Sequence, residues 1–240
     1  MSIKRDKWMQ YRILKDASSL ASRLPETRLL KLNELVKQMQ QYQSLVLKPR
    51  AGSFGRHILF ITRHGANAYR IHSEKKTVTM KDNKLLLKWI GKKTGKRGYI
   101  VQRRLQLAQI QHNPFDLRIM VQRRKGTSST WKVTGSYAKV AAKGYLVTNV
   151  PSGIIPVPLA LKLARFGDRS LIVQAERIAL LAARHLGEHF PELRQVGFDI
   201  GIDRKRRIWI IEGNYWPDLR PFRLLKDSSM YYRIRWYQKH

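Results

Sequence analysis

The chain has 240 residues, of which 43% are hydrophobic, so it can bury a sizeable core and is not globally disordered. Its 48 lysines and arginines outnumber its 16 aspartates and glutamates, giving a formal net charge of +32 that is spread along the whole length. Such a positive field attracts phosphates, nucleic acids, anionic polymers and acidic surfaces without selecting one of them. The chain contains no cysteine, which excludes disulfides, thiolate zinc sites and cysteine nucleophiles.

Other function classes are excluded by missing motifs. Neither the first residues, MSIKRDKWMQYR, nor any later stretch is apolar enough for a secretion signal or a membrane span, so we expect an intracellular protein without a transmembrane segment. His64, His112 and His189 have no metal-ligand spacing, and we assign them no chemistry. A G-x-S-x-G element is absent, which argues against a serine hydrolase.

The first part of the chain predicts helices followed by a small α+β lobe. Pro25 separates two helical patterns, and Thr27 is expected to cap the second helix. Glycines at 52 and 55 mark a loop between two apolar runs. The predicted elements in chain order are helices over 6–23 and 27–43, strands over 44–47 and 57–62, one or two strands over 69–80, a helix over 82–95 and a strand over 99–102.

The second part predicts a larger antiparallel lobe and a helical stretch. Its predicted elements are strands over 117–123, 131–140 and 145–150, helix over 158–189 with a break near Gly167, and a hairpin of strands 196–202 and 207–211. The expected fold class is therefore α+β. The expected divisions are a helical segment over 1–43, a small lobe over 44–103 and a large lobe over 104–240.

The predicted C-terminal hairpin carries acidic and amide side chains. Asp199 lies within its first strand, and Glu212 and Asn214 share one face of its second strand because side chains alternate. Two carboxylates and an amide suit Mg²⁺ or Mn²⁺, which prefer oxygen ligands and keep some coordination positions for phosphate and water. The alternative is that these acids simply pair with some of the abundant arginines and lysines.

A lysine and two glycines form a second candidate site. Lys48 ends a predicted strand, and Gly52 and Gly55 lie in the loop that follows. Glycines let backbone N–H groups approach a polyphosphate, and a lysine supplies a point charge to it. The loop lacks the G-x-x-x-x-G-K-[ST] pattern of a Walker A motif. A plain hairpin turn is the alternative.

These motifs occur in the same order in ATP-grasp enzymes, which the chain resembles from about Asp6 to Asp218. More narrowly, it resembles the YheC/YheD type of endospore coat-associated proteins. The stretches that carry this likeness are LPET at 24–27, LKPRAGS at 47–53, NPFDLRIMVQ at 113–122, WKVTG at 131–135 and VTN at 147–149.

The resemblance implies an ATP-grasp-like fold, in which two lobes of antiparallel sheet with helices hold ATP and the usual separate N-terminal α/β domain is lacking. Implied cofactors are ATP and Mg²⁺ or Mn²⁺. The implied roles are phosphate contact for Lys48, a closing loop at Gly52, Ser53 and Gly55, an adenine contact at Gln102, nucleotide contacts for Lys7, Lys139 and Asn149, contact with the γ-phosphate or an acyl-phosphate for Arg118, and metal ligation by Asp199, Glu212 and Asn214.

The activity implied by the resemblance is that of a carboxylate–amine ligase with unknown carboxylate and amine substrates, in the cytoplasm or at the spore coat. Departures from the family pattern, including His57 for a glycine and Lys139 for an arginine, put turnover in question. One alternative is a degenerate fold that binds an anionic spore or cell polymer. Another is a nucleic-acid-binding protein, suggested by the charge and by the aromatic, basic segment 230–240.

Overall fold

A computed structural model describes residues 6–52, 55–126 and 130–240. These residues form two compact units, one of 6–11 with Pro25–Leu105 and the other of Arg12–Leu24 with Gln106–His240. The predicted helical segment 1–43 thus contributes residues to both units, while the roles assigned to the three predicted divisions stay predictions. No helix of the described residues has the length and apolarity that crossing a bilayer requires.

The unit built on Pro25–Leu105 contains an antiparallel sheet and helices. The helices in the first part of the chain are α1 Lys7–Asp16, α2 Ser18–Ala21, α3 Leu32–Gln41 and α4 Asn83–Thr94. The strands are β1 Thr27–Leu29, β2 Ser44–Pro49, β3 Leu59–His64, β4 Ala68–Ser73, β5 Lys76–Met80 and β6 Tyr99–Arg103. Their order across the sheet is β1-β6-β2-β3-β4-β5.

Helix α4 forms as the sequence predicts. The Asp82 side chain accepts a hydrogen bond from the backbone N–H of Leu85 at 2.8 Å, which satisfies one donor of the first turn. Gly95 ends the helix at φ +53°, a conformation that costs glycine little. Buried residues of α3, α4 and the sheet form the core of this unit: Leu35, Met39, Leu45, Leu47, Leu59, Ile61, Tyr69, Ile71, Leu86, Ile90, Tyr99 and Val101.

Thr27 does not cap a helix, so this prediction was wrong. It begins β1 and lies opposite Gln102 of β6. The Thr27 hydroxyl donates to the carbonyl of Pro25 at 2.8 Å and accepts from Gln102 Nε2 at 2.9 Å, so the sheet takes the oxygen that a helix cap would use. Helix α3 begins later, at Leu32.

The unit built on Gln106–His240 contains a second antiparallel sheet. Its strands are β7 Gln109–Ile110, β8 Asn113–Gln122, β9 Lys132–Ala141, β10 Pro151–Ile155, β11 Gln195–Ile202 and β12 Ile208–Asn214. Their order is β10-β9-β8-β11-β12, with β7 paired to β8. The helices are α5 Val157–Leu163, α6 Ser170–His189, α7 Arg220–Arg223 and α8 Ser229–Lys239.

The break in the helical stretch and the C-terminal hairpin are confirmed, but the strand predicted at 145–150 is wrong. Gly144 has φ +84°, and the backbone N–H of Tyr145 bonds the carbonyl of Ala142, so the chain turns at this point. The strand follows at β10, which pairs with β9. The described architecture is α+β, as predicted.

Helices pack against this second sheet. The small side chains Ala175, Ala179, Ala182 and Ala183 are buried on α6, which contacts β8, β9, β11 and β12. Helix α8 contacts β8 and β9 and buries Ile234. Alternate residues of β8 lie on opposite faces of the sheet. One face is apolar, with Phe115, Leu117, Ile119 and Val121, and the other is mixed, with Asp116, Arg118, Met120 and Gln122.

Candidate functional site

Three neighbouring strands bring four charged side chains together in the Gln106–His240 unit. Arg118 of β8 lies opposite Asp199 of β11, and Asp116 of β8 lies opposite Lys139 of β9. All four are buried, at 4–8% exposure. Buried charges require partners, and directly opposite positions on adjacent strands place side chains close enough to supply them.

The Asp199 carboxylate accepts four hydrogen bonds. Oδ1 accepts from Arg118 Nε at 2.9 Å and from Lys139 Nζ at 2.8 Å. Oδ2 accepts from an Arg118 terminal nitrogen and from Asn214 Nδ2, both at 3.2 Å. An ionised carboxylate offers about four acceptor positions, so these donors saturate Asp199. The pairing with basic residues considered from the sequence is therefore present.

Asp116 is held less completely. Its Oδ2 accepts from the Thr148 hydroxyl. Its Oδ1 is 3.2 Å from Lys139 Nζ, an ion-pair contact, yet no donor in the described part of the chain is aligned for a hydrogen bond with it. Lys139 thus lies between two carboxylates but is aligned with only one of them.

The pKa values of the two carboxyl groups are shifted in opposite directions. Burial pushes the pKa of Asp199 upward, but the positive charges of Arg118 and Lys139 outweigh burial and hold the pKa below its ordinary value. Burial also raises the pKa of Asp116, and there Lys139 offsets only part of the effect while the charge of Asp199 adds to it. The arrangement keeps Asp199 ionised and makes Asp116 the weaker acid.

Two neighbours fix the Arg118 side chain. A Cβ added to Gly197 would lie 3.1 Å from Arg118 Cδ and 2.8 Å from Pro217 Cβ, so the missing side chain leaves room for the arginine. Tyr137 lies opposite Arg118 on β9, and burial raises the pKa of its phenol, which stays neutral. The Tyr137 ring packs edge-on against Phe222 at a centroid distance of 4.8 Å.

The predicted metal ligands are brought together in part. Glu212 lies opposite Asp199 in the β11–β12 register, and Asn214 contacts the Asp199 carboxylate directly. Their oxygen chemistry fits a hard divalent cation. Among the described residues, however, no group of three His, Cys, Asp or Glu side chains is arranged to hold a metal. A cation at Asp199 would therefore need at least one present donor to move away.

Lys48 and Gln102 also meet, within the Pro25–Leu105 unit. Lys48 is buried on β2, and its Nζ donates to Gln102 Oε1 at 2.7 Å. Because Gln102 Nε2 donates to Thr27, the amide oxygen is fixed toward the lysine. Thr27 was not among the predicted site residues. Its signal in the sequence was weak, since one threonine before a helical pattern is more typical of a helix cap.

Lys7 contacts the predicted phosphate loop at its first glycine. Its Nζ donates to the carbonyl of Gly52 at 3.0 Å, and its backbone N–H bonds the carbonyl of Arg50. Gly52 and Gly55 have φ of +145° and +66°, which suits glycine. Ser53 lies outside the described residues.

Asn149 is not joined to the charged cluster by any hydrogen bond in the described structure. It is exposed in a turn, and the preceding Thr148 makes the contact with Asp116 instead. Asp116 and Thr148 were missed by the site prediction. Asp116 stands two positions before Arg118 and so shares its face of β8, a signal that alternation alone could have given.

The chain is similar to known proteins. The family model described as YheC/D-like ATP-grasp matches residues 3–237. The chain belongs to the YheC/D-like ATP-grasp family. It is 26% identical over 219 residues to the endospore coat-associated protein YheD of Bacillus subtilis strain 168, covering 88% of this chain and 48% of YheD. For YheC of the same strain, identity is 22%, and 60% of that protein is covered.

A solved structure extends the likeness to the fold. The carboxyaminoimidazole ribonucleotide synthase of Aspergillus clavatus, crystallised with ATP, matches with a TM-score of 0.57 at 12% identity, over 89% of this chain and 45% of the synthase. The ATP-grasp fold expected from the sequence is confirmed. This ATP-grasp chain spans about half the length of YheD and of that synthase.

Proposed function

We propose that this ATP-grasp chain binds ATP together with Mg²⁺ or Mn²⁺ and that Asp199, Glu212 and Asn214 hold the metal. The observation that carries the proposal is the position of Asp199, which lies between Arg118 on one neighbouring strand and Glu212 on the other. Support also comes from family membership and from the ATP bound to the related synthase. The bound metal would supply charge neutralisation for the phosphate oxygens.

The chain's own residues have distinct roles in this proposal. Arg118 and Lys139 present positive charge at the γ-phosphate, where phosphoryl transfer requires positioning and charge stabilisation. Lys48 contacts phosphate from β2, and Gln102 with the backbone after it lies at the adenine. Gly52 and Gly55 belong to the loop that approaches the phosphates, and Lys7 donates to the carbonyl of Gly52 from α1. The neutral Tyr137 adds no negative charge that would repel the nucleotide.

The proposed reaction is that of a carboxylate–amine ligase. A substrate carboxylate oxygen attacks the γ-phosphorus, the bond to the β–γ bridging oxygen breaks, and ADP leaves. An amine then attacks the acyl carbon, loses a proton, and inorganic phosphate departs. The name of the ATP-bound structural relative, a synthase, and membership of an ATP-grasp family support this class. The coat association in the names of YheD and YheC motivates a role at the spore coat.

Glu212→Ala is the decisive variant for metal-dependent nucleotide binding. Asp199→Ala would leave Arg118 and Lys139 buried without their shared carboxylate, so a loss of binding could reflect misfolding. Glu212 is only half-buried and its replacement should spare the fold. By calorimetry we expect Glu212→Ala to weaken binding of Mg-ATP at least tenfold, whereas the exposed control Glu192→Ala binds as the unmodified chain does.

Unchanged Mg-ATP affinity in Glu212→Ala, or equal ATP binding in Mg²⁺ and in chelator, would refute the metal site. The Lys48→Met variant tests the predicted phosphate contact separately, because it should weaken the binding of ATP both with and without metal. The acyl-phosphate is tested by trapping with hydroxylamine while candidate carboxylates are screened for ADP release. ADP release that never yields a hydroxamate would argue against the ligase reaction.

The net charge of +32 motivates a second candidate, which is a degenerate ATP-grasp protein that binds an anionic polymer. This candidate predicts salt-sensitive binding of polyphosphate or an anionic glycan that persists in Lys48→Met and Glu212→Ala. A nucleic-acid-binding protein would instead prefer oligonucleotides, with a steep dependence of affinity on salt and indifference to ATP.

A further inference from the structure

The Lys139 ammonium is shared unequally by two buried carboxylates. Its Nζ is 2.8 Å from Asp199 Oδ1 in an aligned hydrogen bond and 3.2 Å from Asp116 Oδ1 without such alignment. An ammonium group has three donors on a flexible stem, so a small rotation can redirect it from one carboxylate to the other. Arg118 has less freedom, because it binds both oxygens of Asp199 and passes beside Gly197.

Asp116 is prepared to receive a donor. Its Oδ2 is held by the Thr148 hydroxyl, while Oδ1 is buried and has no aligned donor within the described ranges. Buried carboxylate oxygens in native proteins are generally hydrogen-bonded, so the missing hydrogen bond at Asp116 Oδ1 requires an explanation. The explanation we offer is that Oδ1 is an acceptor position for the Lys139 ammonium.

Charge balance points the same way. Asp116 and Asp199 compensate the charges of Arg118 and Lys139. A divalent cation arriving at Asp199 would meet a saturated carboxylate and an adjacent ammonium of like sign. Moving the ammonium to Asp116 frees an acceptor position on Asp199 and lengthens the distance between the two cations, while the lysine keeps a buried partner.

We propose that Asp116 is a positioning residue that takes the Lys139 ammonium when a divalent cation binds at Asp199. The inference rests on the proposed metal site and adds Asp116 to it. In this proposal Lys139 and the divalent cation compete for the Asp199 carboxylate. Asp116 sets the free energy needed to displace that lysine and so tunes metal affinity without touching the metal.

A double-mutant cycle on the full chain tests this coupling, with Mn²⁺ alone as the probe and free Mn²⁺ measured by electron paramagnetic resonance. Asp116→Asn cannot stabilise the displaced ammonium, so it should lower Mn²⁺ affinity about tenfold. In the Lys139→Met background no ammonium needs a new partner, and the same substitution should change affinity less than about twofold. Asp218→Asn, which removes a carboxylate paired with the exposed Arg220, controls for the loss of one negative charge.

An equal loss of affinity in both backgrounds would overturn the proposal, because it would show that Asp116 acts through structure or long-range charge alone. If Glu212→Ala does not affect Mn²⁺ binding, the proposed metal site itself fails. If Glu212→Ala abolishes Mn²⁺ binding while the cycle is additive, only the role of Asp116 fails.

A second measurement covers the case in which Asp116→Asn does not fold. In unmodified chain labelled with ¹⁵N-lysine, the Nζ resonance that disappears in Lys139→Met is assigned to Lys139. Titration with Mg²⁺ should shift this resonance, because the ammonium changes its carboxylate partner. A resonance that stays in place while Mg²⁺ saturates the protein would contradict the proposal.

Discussion

The two ends of one face of the second sheet differ in what they bury. At one end Met120 and Tyr137 pack against Phe222 of α7 and Ile234 of α8. At the other end lies the cluster of Asp116, Arg118, Lys139 and Asp199. The named side chains are buried at both ends, and both ends include residues of β8 and β9, so burial alone does not distinguish them.

The difference is in how each end is held together. The apolar end is maintained by close packing, which is sensitive to volume and indifferent to pH. The charged end is maintained by the attraction between opposite charges, which is sensitive to the loss of one partner and to protonation. Tyr137 joins the two, since its ring packs on Phe222 while it stands opposite Arg118. The proposed ligand chemistry therefore lies at the charged end, where we propose that groups exchange partners.

The largest expected effect comes from removing a partner at the charged end. Arg118→Met leaves the Asp199 carboxylate buried without two of its four donors, and we expect the free energy of unfolding to fall by about 3–5 kcal/mol. Urea denaturation followed by circular dichroism measures the change.

Arg220→Met is the matched control for that substitution. Arg220 also pairs with an aspartate, Asp218, but its side chain is 82% exposed, and exposed pairs contribute little. We expect a change below about 1 kcal/mol. Similar losses in the two variants would mean that burial of the Arg118–Asp199 pair has no special weight.

A smaller effect should come from adding volume at the apolar end. A Cβ at Gly135 would lie 2.8 Å from Phe222 Cε1 and 3.1 Å from Met230 Cβ. Gly135→Ala should therefore destabilise the protein by about 1–3 kcal/mol, measured as a lower urea midpoint.

The control for added volume is Gly153→Ala on β10. A Cβ at Gly153 meets no described atom within 4 Å, so stability should change by less than about 0.5 kcal/mol. Equal tolerance of both alanines would show that α7 and α8 do not pack on Gly135 as described.

The smallest expected effect is a change in pH dependence at the charged end. The pKa of Asp116 is raised from 3.8 by burial, so above about pH 3.8 the unfolded chain loses a proton that the folded chain keeps. This group therefore contributes stability that is lost as pH rises through its folded pKa. Asp199, whose pKa is lowered, contributes stability that is lost as pH falls through its own folded pKa.

Asp116→Asn removes the contribution that falls with rising pH. The free energy of unfolding is measured by urea titration at a series of pH values upward from pH 4. Over this range it should rise more steeply with pH in Asp116→Asn than in the unmodified chain. A shallower slope than that of the unmodified chain would reverse the assigned direction for Asp116.

Much of the fold was predictable because local chemistry specified it. Asp82 and Gly95 delimited α4, and polar turn residues separated the two strands of the C-terminal hairpin. Thr27 and the segment 145–150 were mispredicted because their structure depends on distant partners. Thr27 pairs with Gln102, 75 residues later in the chain, and Thr148 hydrogen-bonds Asp116.

The sequence was enough to predict the α+β class, the family likeness and a set of candidate residues for holding metal and phosphate, because alternation and motif order are properties of the chain itself. Which charges meet became clear only from the folded structure. Arg118 is paired with Asp199 and not with Asp116, which is nearer in sequence. Lys139 is shared by both carboxylates. Strand register decides this, since a residue's neighbour across a sheet is set by the pairing of whole strands and not by its own type.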